Sequence, residues 1–461
     1  MNTLIKHLVA KYQGNVPRYT SYPTLDRCSK KPNVGSYKNK LRLLSETGEP
    51  VSLYIHIPFC QKLCYYCACN TLIRSRDKAP TQRYLDNLGL EFETISRLAG
   101  GKLNIRQIHL GGGTPTFLTE SQLDWLIHSC REYFLTSQAT EISFETDPVT
   151  CTGSQLSKLR ELGASRVSFG VQDFDARVQE AVNRHNSPGH VQGMVAHARE
   201  KGYKSVNLDF IYGLPHQTID TALETVEGIA GIRPDRIAMY NFAYLPEIKK
   251  HHCLLPATEL PSAEEKAFIF LGISQSLYKH GYEPVGMDHF ALPDDELSIA
   301  AKTGSLMRNF MGYTPFKAPH VLGTGMTGIS LLDNHYFQNA STLESYHDLL
   351  QEGLPPVIRS YGLSQTDIQC KAILDDLMCN LRIDPSAFQR EFHTPFEEAF
   401  PGIGHHIRKC LQDKLLAKRL STDSVAYSAT TIGRLFLRSI ASGFDHYLQE
   451  AQSTPMFSKA V

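Results

Sequence analysis

The chain has no surplus of either charge. Lys plus Arg and Asp plus Glu each total 47, so the formal net charge is zero. Nucleic-acid phosphates are bound through surplus positive charge, so no nucleic-acid partner is expected. No run of about 18 apolar residues occurs, and no membrane span is expected. The opening stretch MNTLIKHLVAKYQG is amphipathic, lacks a long apolar core and a small-residue cleavage site, and does not read as a secretory signal. Internal repeats and low-complexity tracts are absent, as are the dinucleotide fingerprint G-x-G-x-x-G and a phosphate-loop lysine. Eleven cysteines, an odd number, are scattered along 461 residues. That usage fits a reducing compartment, so the cytoplasm is expected. The length suggests two or three domains with ample core.

What the chain does have is concentrated in CQKLCYYC, where Cys60, Cys64 and Cys67 follow the apolar run SLYIHIPF. Three soft thiolates on one loop suit iron or zinc rather than magnesium or calcium. A four-iron cluster with four equivalent irons takes four thiolates. Three leave one iron open to bind and activate a small molecule. Cys69, with a single residue between it and Cys67, is expected outside the ligand set. Spacing alone also admits a zinc site completed by His56, or cysteines that are merely buried. The last is disfavoured, because no strand or helix turns all three, beside Tyr65 and Tyr66, to one side.

From residue 50 to about 245, short apolar strands alternate with helical segments. SLYIHIPF, IRQIHLGGG, EISFETDP, SRVSFGVQ, SVNLDFIYGLP and DRIAMYNF are the strands. YLDNLGLEFETISRL shows the helical spacing, with Leu85, Leu88, Phe92 and Ile95 on one face. Six such units predict a parallel β/α architecture, curved into a part-barrel. Polar residues gather where strands end: Glu145, Asp147, Gln172, Asp173, Asp209 and Asn241. They and the cysteine loop are expected at one mouth. The domains expected are an N-terminal extension over 1–49, a part-barrel with following loops over 50–344, and a mainly helical region over 345–461. Within these, 284–340 reads as loops with short elements, Ser262 and Glu265 as a capping box, and LSTDSVAYSAT as a hairpin.

Several residues are candidates for chemistry. GGGTPT at 111–116 lets a ligand approach the backbone, and its amides are expected to grip a carboxylate. Glu145 and Asp209 can accept from hydroxyl or ammonium groups, and Arg184 can neutralise a carboxylate bidentately. An internal Arg–carboxylate network that only braces the barrel is the alternative. Arg18, in the stiff stretch PRYTSYPT, can meet an anionic substrate, with Tyr19 and Tyr22 lining the entrance. GMDHFA and RNFMGYT offer another wall, with Arg308 as a second cation. His56 and His109 read as packed or structural. His251–His252 and His405–His406 read as surface pairs.

The spacing Cys60-x3-Cys64-x2-Cys67, with Tyr66 before the third cysteine, resembles the radical S-adenosylmethionine (SAM) family. PRYTSYPT, YIHIPFC, CACN, HLGGGTPT, FETDP, GVQDF, NRHN, IYGLP, GMDHFA and GRLFLRSIASGFDHYL resemble its oxygen-independent coproporphyrinogen III oxidase branch, from about residue 15 to 460. The resemblance implies a (β/α)6 part-barrel with an N-terminal extension and a helical C-terminal domain. It implies a [4Fe-4S] cluster on Cys60, Cys64 and Cys67, with SAM chelating the fourth iron and a second SAM beside the first. The nucleotide-binding positions it carries over are Tyr54, Tyr66, Gly112, Gly113, Thr114, Glu145, Gln172, Arg184, Asp209, Ala243 and Ile329. Tyr54, Glu145 and Arg18 are the catalytic candidates. The implied reaction turns two propionates of coproporphyrinogen III into vinyl groups, giving protoporphyrinogen IX for heme. A 5′-deoxyadenosyl radical takes a hydrogen from the propionate β-carbon, and carbon dioxide and an electron then leave. A reduced flavodoxin- or ferredoxin-type donor, an electron acceptor and a monomeric chain are implied as well.

The chain departs from that pattern at Met311 and Phe316, where the branch has Gln, and at His320 and Thr324, where it has Asp and Met. These changes are expected near the second nucleotide or the substrate. They keep open a relative acting on another tetrapyrrole by methyl transfer or ring opening. A structural or electron-transfer iron–sulfur protein is the non-enzyme alternative.

Overall fold

The computed structural model describes residues 2–29, 31–75, 78–317, 319–420, 425–450 and 457–461. Six parallel strands form the centre: β1 (Val51–Ile57), β2 (Ile105–Gly112), β3 (Glu141–Thr146), β4 (Ala164–Gln172), β5 (Ser205–Tyr212) and β6 (Arg236–Asn241). Each is followed by helix, as the alternating apolar and amphipathic segments require. Leu85, Leu88, Phe92 and Ile95 of the Lys78–Ala99 helix are buried. A part-barrel with an N-terminal extension and a C-terminal helical region is the architecture.

Strand patterning explains what the barrel holds. Successive side chains on a strand face opposite ways. In β3, Ile142, Phe144 and Thr146 are buried, whereas Glu141, Ser143 and Glu145 are partly open. β5 repeats this, with Val206, Leu208 and Phe210 fully buried and Asn207 and Asp209 not. The open set, with Gln107, His109, Arg166 and Ser168, lines a cavity of about 130 Å³. The barrel interior is therefore polar, and the apolar strand faces form the main core.

The short elements at 284–340 join the main sheet. β7 (Glu283–Val285) and β8 (His289–Ala291) extend it antiparallel beyond β6. On the other edge β9 (His320–Thr324) pairs parallel with β1, followed by β10 (Ile329–Leu332), β11 (His335–Asn339) and β12 (Val357–Gly362) as an antiparallel meander. The sheet thus continues past residue 344. Glu91 ties this edge to the Lys78–Ala99 helix. Its buried carboxylate accepts from the Gly325 amide at 2.7 Å, Asn339 Nδ2 at 2.6 Å and the Tyr346 hydroxyl at 2.5 Å.

Beyond the sheet, helices Gln365–Asn380, Pro385–Phe392 and Ile403–Gln412 pack around a small sheet containing Leu416–Leu420 and Val425–Ala429. These last strands are the two arms of the expected hairpin, whose turn at 421–424 lies outside the described residues. The capping box forms, with Ser262 Oγ accepting from the Glu265 amide and Glu265 accepting from the Ser262 amide at 2.7 Å. Among the described residues, no helix is long and apolar enough to cross a membrane.

Candidate active site

The C-terminal strand ends meet at one edge. Ile57 lies beside Gly112, Glu145 beside Ser168, Gly170 beside Asp209, and Tyr212 beside Asn241. The cysteine loop leaves from β1 at this edge.

The glycine turn is built against that loop, which corrects the expectation that its amides grip a ligand. Gly113 donates its amide to Ile57 O at 2.7 Å and Thr114 to Phe59 O at 2.9 Å. A Cβ at Gly113 would stand 2.7 Å from the Phe59 carbonyl, and one at Gly112 2.5 Å from the His56 ring. The glycines thus let two backbones touch. Thr114 Oγ1 lies 3.4 Å from Cys60 Sγ.

Three further elements hold the loop. Asn183 donates to Leu63 O at 2.8 Å, and the Tyr65 amide donates to Val182 O at 3.0 Å. Arg184 pairs with Asp147 at 2.9 Å, donates to Gly170 O at 2.6 Å and reaches Cys64 Sγ at 3.7 Å. Its guanidinium is therefore divided among three partners rather than forked onto one carboxylate. His56 Nε2–H donates to Asn70 O at 2.9 Å, leaving Nδ1 to accept from the Tyr54 hydroxyl at 3.2 Å. Burial pulls the pKa of His56 down, so it is neutral and structural.

The third element was missed. His251 donates to Cys67 O at 2.7 Å, and Lys249 Nζ reaches Cys69 O at 3.4 Å and Asn70 Oδ1 at 3.3 Å. His252 is fully buried against Phe242 and Tyr244. The His251–His252 pair is thus a strap on the cysteine loop, not a surface feature. Its one sequence signal was the neighbouring apolar run, which the Lys-Lys-His-His charge obscures.

Two carboxylates at the mouth are driven apart. Burial raises the pKa of Glu145, but the His109 hydrogen bond at 3.3 Å, the His109 charge and the Gly112 amide overcome it, and the net shift is downward. Asp209 is pushed up to about 7 by burial and by Glu145, against hydrogen bonds from Asn207 and Ser168. Gln172 sits in the left-handed region at φ 71°, with its Oε1 buried and without a partner. Ala243 follows the end of β6, and Ile329 opens β10, packed on Gly323 beside Tyr54.

Around the mouth, Arg18 is solvent-exposed and donates to Asn241 O at 2.5 Å. Tyr19 and Tyr22 do not line the entrance. Both are buried, donating to Asp445 at 3.1 and 3.3 Å. Their hydroxyls find an acceptor only by turning inward to GRLFLRSIASGFDHYL. Arg308 donates to Tyr19 O at 3.2 Å. Of the departures, Met311 lines the polar cavity. His320 and Phe316 do not lie near the mouth. His320 pairs with Val51 at the start of β1 and contacts Glu49 at 2.7 Å, and Phe316 stacks under Arg106. Both belong to the opposite end of the barrel, His320 because β9 runs parallel to β1 and Phe316 because Arg106 stands at the start of β2. Thr324 bonds Tyr54 O at 3.1 Å.

A part-barrel whose cysteine loop and polar strand ends share one mouth defines a radical SAM protein, and the Radical SAM superfamily model matches residues 54–229. The chain is 38% identical to the oxygen-independent coproporphyrinogen III oxidase of Pseudomonas aeruginosa, covering 96% of this chain and 95% of that one. It is 36% identical to the enzyme of the same name from Synechocystis, covering 98% and 97%. The solved structure of Escherichia coli coproporphyrinogen III oxidase, a radical SAM enzyme, superposes with a TM-score of 0.86 at 35% identity, over 94% of this chain and 100% of that one. The chain belongs to the oxygen-independent coproporphyrinogen III oxidase family.

Proposed function

We propose that this chain converts coproporphyrinogen III toward protoporphyrinogen IX without oxygen, by oxidative decarboxylation of two propionates. The observation that carries this reading is the full-length match to the family, joined to a mouth shared by the cysteine loop and the polar strand ends. Family membership implies a [4Fe-4S] cluster and SAM. Cys60, Cys64 and Cys67 fit the cluster. All three leave one loop, and Arg184 and Lys249 supply positive charge beside Cys64 and Cys67. Cys69 interacts with Cys67 and is assigned no iron. When bound, cluster and SAM supply one-electron cleavage that makes an organic radical.

The chain's own groups then have distinct tasks. Ionised Glu145 suits a hydroxyl or ammonium donor, and the unpaired Oε1 of Gln172 takes another. Asp209, poised near neutrality, can accept a ribose hydroxyl. Tyr54, Tyr66, Gly112, Gly113, Thr114, Arg184, Ala243 and Ile329 complete the SAM site. With their amides committed, Gly113 and Thr114 serve by shaping the turn. A second SAM, a flavodoxin- or ferredoxin-type electron donor, an electron acceptor and a cytoplasmic monomer belong to the same reading. Arg18 holds a substrate carboxylate, fixing which carbon is presented.

The test is anaerobic incubation with reductant, SAM and coproporphyrinogen III, read by mass. Loss of two carboxyl groups is expected. SAM cleavage with the porphyrinogen untouched or methylated overturns the reading.

A further inference from the structure

Lys266 lies on the Ala263–Lys279 helix, partly buried, over the end of β5. Its stem crosses Gly213, where a Cβ would stand 3.0 Å from Lys266 Cε. Gly213 has φ 90°, so both the turn and the passage of the lysine call for glycine. The same point is 3.5 Å from Asn241 Oδ1, a buried acceptor with no partner. The Asn241 carbonyl accepts from Arg18. Lys266 and Arg18 thus both approach Asn241, the lysine on the side of its side-chain oxygen and the arginine at its carbonyl.

The charges acting most on Lys266 are of one sign. The groups acting on it are Lys459, Arg18 and Arg438, and with burial they pull its pKa down to about 8. Among the described residues its ammonium makes no hydrogen bond or ion pair. Two guanidinium groups in the same region, of Arg438 and Arg434, are already engaged. Arg438 donates to Pro17 O at 3.0 Å and Lys459 O at 2.8 Å, and also to Val16 O. Arg434 donates to Gly286 O at 2.8 Å and His289 O at 2.6 Å. Asp288, whose charge acts on Arg18, is engaged by His289 at 2.8 Å. A half-buried ammonium among like charges is costly unless an anion joins it.

We propose that Lys266, acting with Arg18, forms a carboxylate-binding site at the barrel mouth that takes one propionate side chain of the tetrapyrrole. This assignment rests on the function proposed above. The ligand class is a flexible organic carboxylate. One ammonium and one guanidinium gathered at Asn241 can each take a carboxylate oxygen.

The experiment uses the cluster-loaded full chain and fluorescence titration with coproporphyrin III and its tetramethyl ester. Wild type should bind the tetra-acid more tightly than the ester. Lys266→Met should weaken tetra-acid binding by roughly tenfold, the size of one charge-assisted hydrogen bond, without weakening the ester. Lys266→Arg should restore most of the difference. Iron content equal to wild type serves as the folding control, and the wild-type acid–ester comparison needs no variant. If wild type decarboxylates coproporphyrinogen but K266M binds the tetra-acid as well as wild type does, the Lys266 site is overturned and the function stands. Should wild type neither bind coproporphyrin nor alter coproporphyrinogen, the function fails and the site with it.

Discussion

Glu145 and Asp209 act on each other across the barrel mouth, and the charge of Glu145 is the second cause, after burial, of the raised pKa of Asp209. His109 and the Gly112 amide keep Glu145 ionised, so the repulsion falls on its neighbour. One carboxyl is thereby a firm anion and the other a group that changes charge near neutrality.

This pair carries a pH prediction. The folded state holds the Asp209 proton up to about 7, against an ordinary 3.8. Between those values the unfolded chain binds fewer protons, so stability falls as pH rises through this window and levels off above it. Glu91, pushed up to about 7 by burial, contributes with the same sign. Asp209→Asn should therefore flatten part of the decline in melting temperature between about pH 4 and 7. An unchanged slope would mean that Asp209 ionises normally. The same variant should weaken SAM binding, measured by equilibrium dialysis of the loaded protein.

Cluster assembly should discriminate among the loop cysteines. Alanine at Cys60, Cys64 or Cys67 should lower iron well below about four per chain. Alanine at Cys69 should leave most iron in place. Anaerobic iron and sulfide analysis decides, and stoichiometric zinc without labile sulfide would replace the cluster with another metal.

The His251 strap predicts a kinetic effect. One hydrogen bond of about 1 kcal/mol restrains the Cys67 carbonyl, so His251→Ala should speed iron loss to a chelator several-fold. His251→Gln retains an N–H donor and should recover part of it. Equal rates in all three proteins would remove the strap's role.

Arg18→Met should raise KM for coproporphyrinogen by at least roughly tenfold, as expected for a lost charge-assisted contact. A comparable fall in SAM cleavage without substrate would make Arg18 a brace for the barrel instead.

The parallel strands and their polar ends were legible because apolar runs, helical spacing and turn residues are local signals. The three cysteines were equally plain. What escaped depends on partners distant in sequence. Tyr19 and Tyr22 turn inward because Asp445 waits there, and His252 is buried because Phe242 and Tyr244 cover it. β9 to β12 are only four to six residues each, and pairing rather than composition makes them strands. The polar interior was in fact written in alternation, as in Glu141, Ser143 and Glu145, but strand-end reading took only its last member. His320 and Phe316 were misplaced because a motif gives sequence neighbourhood, while the parallel direction of β9 and the position of Arg106 at the start of β2 decide which end of the barrel each occupies.

The cysteines, Glu145, Gln172, Arg184 and Asp209 all fall within residues 54–229, whereas Arg18, Lys266 and Arg308 come from segments before and after it. The two sets are separate stretches of the one chain. A chimera that exchanges the flanking segments for those of a relative with another substrate offers a route to redirect the radical without rebuilding its source.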